Sequence, residues 1–279
     1  MKDTAGGTGD PTPSQLLSSR SRISAVTMCG TAKAAHIGSS LSIVDVLAVL
    51  YTGAANIHPT NVNDSDRDIV IVSKGHAAAG TYATLGNAGF FPMEWLDGYC
   101  VNGGPLGGHV TKGRVPGVEL STGSLGHGLP FGVGVALGRS RQGRKGRVFV
   151  VMSDGEQDEG SNWEAALLAG HHELTNLTVI IDRNGIQSLD STEATLRLEP
   201  LAAKWSAFGW ATIDVDGHNH AAIGAALQDA ASDPRPTVVI AKTVKGKGVS
   251  FMEDQVLWHY RPPTGDAFVS ALSELQEPG

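Results

Sequence analysis

Short, unbroken apolar runs alternate along this chain with longer stretches in which apolar residues return every three or four positions. Residues 68–73, 148–153, 177–182, 211–215 and 236–242 are strand-sized runs rich in Val and Ile. Runs of that length without polar alternation predict strands buried on both faces. Residues 159–173, 201–208 and 221–231 lie between or beside them and read as helices. Upstream, 15–33 reads as a helix with Ser14 as its N-cap, and 42–51 (SIVDVLAVLY) as a second, nearly all-apolar and buried one. Residues 77–88 and 93–100 are also helical in pattern. Strands alternating with helices predict an α/β fold, a doubly wound parallel sheet with helices on both faces. Ligands then belong at the C-terminal edge of the strands.

Residues 102–128 break the pattern, with nine glycines, two histidines and little periodicity. A loop of that length inside a compact domain is uncommon and usually functional. Residues 1–13 are rich in Gly, Thr and Pro and lack an apolar h-region, so they read as a flexible leader and not a signal peptide. Residues 14–279 then form one domain, with a C-terminal tail after about Val249.

Composition narrows the function classes. The formal net charge of −7 argues against a nucleic-acid binder working by bulk electrostatics. No apolar stretch approaches the ~20 residues that span a bilayer, so no membrane role is expected. Two cysteines, Cys29 and Cys100, fit a reducing, cytoplasmic setting. Glycine supplies 36 of 279 residues, well above the usual share, which makes close backbone approach to a ligand worth seeking.

The strand at 148–153 runs into Asp154-Gly155-Glu156, and the next strand into Asp182-Arg183-Asn184-Gly185-Ile186. Parallel neighbours joined by one helix bring those ends side by side, so Asp154 and Asn184 can offer a carboxylate and an amide oxygen to one point. A hard divalent cation takes such oxygens, and Mg2+ uses few protein ligands, completing its shell with water and phosphate. Gly185 permits a turn that aims the Ile186 carbonyl at the same place, and Gly155 lets an anion approach near the following helix.

The run SDGEQDEGSNWEAALLAGHHELTNLTVIIDRNGIQ (153–187) resembles the thiamin-diphosphate motif, and its surroundings resemble the N-terminal half of transketolases. AAHIG, SKGHAAAG, PLGGHV, STGSLGHGL, DVDGHN, KTVKGKGVSFME and WHYRPP carry the likeness from about Ser14 to Pro263. The α chains of 2-oxo-acid dehydrogenases share the metal motif but not SKGHAAAG or WHYRPP. Two other readings are a 1-deoxyxylulose-5-phosphate synthase, which is one long chain, and a non-catalytic binding or regulatory subunit, in which site residues should be lost.

The resemblance implies that Asp154, Asn184 and the Ile186 carbonyl hold Mg2+, for which Ca2+ or Mn2+ substitutes. It assigns thiamin diphosphate to Ser153, Asp154, Gly155, Glu156, Asn184 and Ile186, with Gly123-Ser124-Leu125 lining the aminopyrimidine and thiazolium region. Ser153 stands where the family has Gly, and Ser124 where it has Pro. His36, His76, His109 and His259 match the active-site histidines, His76 and His259 also lying near the diphosphate. Imidazoles suit proton transfer near neutral pH. His127 replaces a frequent Gln. His171, His172, His218 and His220 are left to structure, and Lys245 and Lys247 read as solvated lysines of a Gly-rich loop. Glu159 and Glu164 match acidic residues at the family's subunit interface.

The activating glutamate and the sugar-phosphate contacts of transketolases lie in a second domain, and full transketolases are more than twice this length. The resemblance therefore implies one subunit of a split transketolase, transferring a two-carbon ketol unit from a ketose to an aldose. It implies a partner chain carrying the pyrimidine-binding and C-terminal domains, in an α2β2 heterotetramer.

Overall fold

A computed structural model describes residues 10–276, so most of the leader lies outside the described residues. Helix α1 (Pro13–Ala32) starts earlier than its pattern predicts: Thr12, not Ser14, is the N-cap, and Gln15 completes a capping box with it. Helix α2 (Ile37–Val49) follows and runs through a wider turn at Leu50–Ala54. Strand β1 (Ile69–Val72) and helix α3 (Ala78–Asn87) come next, then a 3-10 segment, Met93–Gly98. The Gly-rich loop ends in helix α4 (Gly128–Arg141).

The remainder is regular: β2 (Val148–Ser153), α5 (Gly160–His171), β3 (Leu177–Arg183), short α6 (Thr192–Thr195) and α7 (Leu201–Ala207). Strand β4 (Ala211–Asp216), α8 (His220–Ser232), β5 (Thr237–Lys242) and α9 (Asp266–Gln276) complete it. All five strands are parallel, in the order β1-β2-β3-β5-β4. The central register pairs Ser153 with Asp182, which brings the ends of β2 and β3 together as expected.

The central strands β2 and β3 are buried along almost their whole length because the pleat serves two cores, whereas edge strand β4 exposes Asp214 and Asp216. Phe149 and Val151 join Ile180 and Val239 under α1, α2, α3 and α8. Val148, Val150 and Met152 join Val179, Ile181 and Ile240 under α4, α5 and α7. Glycine lets α4 come close to the sheet: a Cβ on Gly132 would stand 2.6 Å from Val150 Cγ2. The run Ile37–Ala54 is, among the described residues, the one helical stretch long and apolar enough to be weighed as a membrane span, and 83% of it is buried inside the fold. The residues after Val249 do not trail from the domain. Met252 and Trp258 are buried, and α9 packs on α1.

Candidate active site

Residues from six segments meet in a cleft of about 230 Å³ at the C-terminal edge of β2 and β3. The turn after β2 supplies Ser153, Asp154 and Gly155; the turn after β3 supplies Asn184, Ile186, Gln187 and Ser188. The Gly-rich loop supplies His109, Gly123 and Leu125. His36 and Ser39 come from the start of α2, His76 from the turn after β1, and His259 with Tyr260 from the segment before α9.

The four histidines singled out in the sequence converge. Ring centroids of His36 lie 5.5 Å from His76, 5.6 Å from His109 and 5.1 Å from His259, and His76 lies 5.7 Å from His259. Burial suppresses the charge of three of them, His36, His76 and His259. Burial, then the nearby His109, Lys245 and Lys74, lowers His36 to about 4. Burial, then Lys245, lowers His259 to about 3, and burial with Lys74 holds His76 well below its usual value. His259 Nδ1 accepts from Lys245 Nζ at 2.8 Å, which leaves its hydrogen on Nε2. His36 itself holds a left-handed backbone (φ 71°) at the head of α2, with its N–H donated to the His259 carbonyl at 2.8 Å. A non-glycine residue in that region costs free energy and is held there by its surroundings.

The turns after β2 and β3 meet at Asp154. Asp154 is 1% exposed; its Oδ1 accepts from Gly155 N (2.8 Å) and its Oδ2 from Gly185 N (2.6 Å). Gly185 takes φ +78°, the left-handed turn that presents Ile186. Burial and then the neighbouring Asp182 push the Asp154 carboxyl up. Asn184 is held from behind, its Nδ2 donating to Asp182 Oδ2 at 3.0 Å. Asp182 also accepts from Lys74, Ser42 and Thr243, and lies below its usual pKa because these interactions outweigh burial. Asp154, Asn184 and Ile186 line one cleft, and a carboxylate, an amide oxygen and a peptide oxygen are donors that a hard divalent cation takes, with phosphate and water as its other ligands. Arg183, which the sequence argument did not weigh, donates to Asp154 Oδ2 at 3.2 Å.

Three expectations need correction. Glu156 does not face the cleft: it is fully buried, and its carboxylate accepts from Ser73 Oγ, Gly126 N (3.0 Å) and Ser153 N (3.2 Å). It ties the Gly-rich loop to the end of β2. Ser124 is not among the residues lining the cleft, and its carbonyl instead faces His127 Nδ1 at 3.2 Å. Lys245 is not solvated. It is 1% exposed, and Nζ donates to Ile186 O (3.0 Å), Gln187 O (2.9 Å) and His259 Nδ1. Burial, then Lys74, lowers it to about 8, so it is still mostly cationic at neutral pH. Lys247, by contrast, sits in a partly exposed ion pair with Glu253. A 3-10 turn, Gly155–Asp158, also intervenes before α5, so that helix begins beyond the site. Glu159 and Glu164 are exposed at the start of α5, away from these contacts.

Carboxylate, amide and peptide oxygens, a buried ammonium and four imidazoles thus meet around one strand-end cleft, the donor set of a domain that takes an anionic cofactor. Residues 14–271 match the family described as transketolase, thiamine diphosphate binding domain, and the chain belongs to it. It is 43% identical over 242 residues to one subunit of the apulose-4-phosphate transketolase of Actinobacillus succinogenes, covering 87% of this chain and 88% of that one. It is 38% identical over 245 residues to 6-deoxy-6-sulfo-D-fructose transketolase subunit SqwG of a Clostridium species, covering 88% and 89%. A transketolase from Pichia stipitis in complex with sedoheptulose 7-phosphate superposes with a TM-score of 0.89 at 29% identity. That match covers 94% of this chain but 40% of the other.

Proposed function

We propose that this chain is the diphosphate-binding subunit of a two-component transketolase, working with a partner chain that carries the pyrimidine-binding and C-terminal domains. The observation that carries the reading is the convergence of His36, His76, His109 and His259 above the Asp154, Asn184 and Ile186 oxygens in one cleft. The names of two similar subunits support a donor ketose bearing a terminal anion, phosphate or sulfonate. An α2β2 assembly and a cytoplasmic setting belong to the same proposal.

Asp154, Asn184 and the Ile186 carbonyl would hold Mg2+, and Lys245 would balance the charge of the diphosphate beside it. Gly123 and Leu125 would line the ring region. Thiamin diphosphate, when bound, supplies the nucleophilic carbon that breaks and remakes the carbon–carbon bond. The chain's own residues orient and move protons. Imidazoles that stay uncharged at neutral pH present one N–H donor and one acceptor nitrogen, so they can bind sugar hydroxyls in both senses. His259, with hydrogen on Nε2, is set as a donor.

The test is to mix the chain with its partner, thiamin diphosphate and Mg2+, and assay ketol transfer from phosphorylated, sulfonated and unmodified ketoses, with each chain also assayed alone. Turnover in the mixture only is the expected result. Turnover by this chain alone would overturn the two-component reading, and absence of cofactor binding in the mixture would favour a non-catalytic subunit.

A further inference from the structure

Asp45 is the one acidic residue in the apolar run of α2, and it is 3% exposed. Its carboxylate collects donors from three other segments. Arg22 of α1 approaches with both Nη atoms, His218 Nδ1 lies 2.7 Å from Oδ2, and His220 Nε2 lies 2.9 Å from Oδ1. Burial alone would push this carboxyl up; the hydrogen bonds from His218 and His220 and the Arg22 charge hold it well below the usual range. Nothing in the proposed chemistry uses the cluster. A buried ion pair is also weak evidence for stability, since well-packed apolar residues often serve as well or better.

What the cluster does hold is the loop after β5. His218 Nε2 accepts from Val244 N at 2.8 Å, so its hydrogen sits on Nδ1, directed to Asp45. Arg22 Nε donates to Lys247 O at 3.2 Å. The two contacts grip residues 244 and 247, and between them Lys245 reaches three cleft-lining residues, Ile186, Gln187 and His259, with all three ammonium hydrogens engaged. Its stem packs at Gly38, where a Cβ would stand 3.2 Å from Lys245 Cγ, and Gly246 N donates to Gly38 O at 3.0 Å. We propose that Asp45, His218 and Arg22 form a clamp that sets the position of Lys245 behind the cleft wall, His218 and Arg22 acting as positioning residues. The effect on cofactor binding rests on the function proposed above; the effect on the loop does not.

Two variants at His218 separate this role from simple charge pairing. In His218→Gln, the amide oxygen reaches the place of Nε2 and can accept from Val244. In His218→Asn, the shorter amide keeps a donor for Asp45 but cannot reach Val244. Arg22→Lys, a second probe, keeps a charge against Asp45 and loses the Nε donor to Lys247. Acetic anhydride labelling of Lys245 and amide exchange at 244–248 are read on the full chain by mass spectrometry. The expected result is labelling faster by about tenfold or more in His218→Asn and Arg22→Lys, with His218→Gln within about twofold of the parent. Labelling unchanged in His218→Asn, or Gln worse than Asn, would overturn the clamp. In the mixture with the partner, the Kd for thiamin diphosphate with Mg2+ should follow the same order. A loosened loop with unaltered cofactor affinity would sever the clamp from the site. A parent protein that binds no cofactor would defeat the proposed function, while the labelling would still decide the clamp.

Discussion

At the scale of single residues, the site is built from groups whose ordinary charge is altered by burial. Asp154 is the one acidic side chain in the proposed oxygen set, so Asp154→Ala should weaken Mg2+-dependent thiamin diphosphate binding about 100-fold or more, read by tryptophan fluorescence titration. Unchanged affinity would remove Asp154 from the metal site. His109→Ala should leave cofactor affinity intact in the assembled enzyme while lowering kcat/KM for the donor about 10²-fold or more. Loss of cofactor binding in that variant would place His109 elsewhere. His36 and His259 make a pH prediction. An unfolded chain takes up protons on them near 6.5, whereas the folded chain resists until about 4 and about 3. In that window the unfolded state binds more protons, so stability rises with pH and is lost as pH falls from about 6.5 towards 4. The urea midpoint should therefore be lower at pH 5 than at pH 7.5, and less so in a His36→Asn, His259→Asn double variant. Sequence motifs are enough for these histidines, since each sits in its own short signature. They are not enough for Lys245 or Glu156. A lysine among glycines reads as solvated, and its burial comes from Gly38 and the loop contacts to Arg22 and His218, more than 200 positions away in one case. Glu156 turns inward because Ser73 and Gly126, from two other segments, offer donors that sequence proximity does not reveal.

At the scale of elements, all five strands are legible in the sequence: the central ones as apolar runs buried on both faces, and β4 (ATIDVD), partly exposed, by its place between two helices. Helix α4 is not. Gly128, Gly132, Gly134 and Gly138 dilute its periodicity, and two of them are there for packing: a Cβ at Gly128 would stand 2.2 Å from Ser73 Oγ, and one at Gly132 would strike Val150. Gly132→Val should therefore lower stability by about 1–3 kcal/mol through overpacking, despite valine's better packing area. A thermal melt equal to or above the parent would mean that α4 can shift to accommodate it. Helix α9 reads as a tail because its apolar face has no neighbour in sequence. Its partners are α1 and the 246–250 turn: Phe268 lies against Gly30 and Leu275 against Gly248, and Glu274 accepts from Ser250 N at 2.6 Å. The buried Asp45 is visible as a lone charge in an apolar helix, yet its partners, from 22 to 220, cannot be chosen without the fold.

At the scale of the molecule, three large apolar side chains stand exposed on α4 and α5. Phe131 on α4 and Leu167 and Leu168 on α5 are 40%, 58% and 45% exposed, on two helices that pack together, and Glu164 lies on the same α5. Such a patch on a chain that belongs to this family fits a subunit contact. Leu168→Glu should keep the chain folded by circular dichroism and weaken assembly with the partner about tenfold or more in analytical ultracentrifugation. Assembly unaffected by that charge would place the contact on another face.

Helix α2 also has a consequence in time. Ile37–Ala54 emerges early in synthesis, but α8, one of the helices that covers it, is not complete until Ser232. At ~5–20 residues per second, that leaves a strongly apolar segment short of its full cover for roughly ten to thirty seconds on each ribosome. Nascent chains arrested before residue 220 should therefore crosslink to ribosome-associated chaperones through α2, and chains arrested well after 242 should release them.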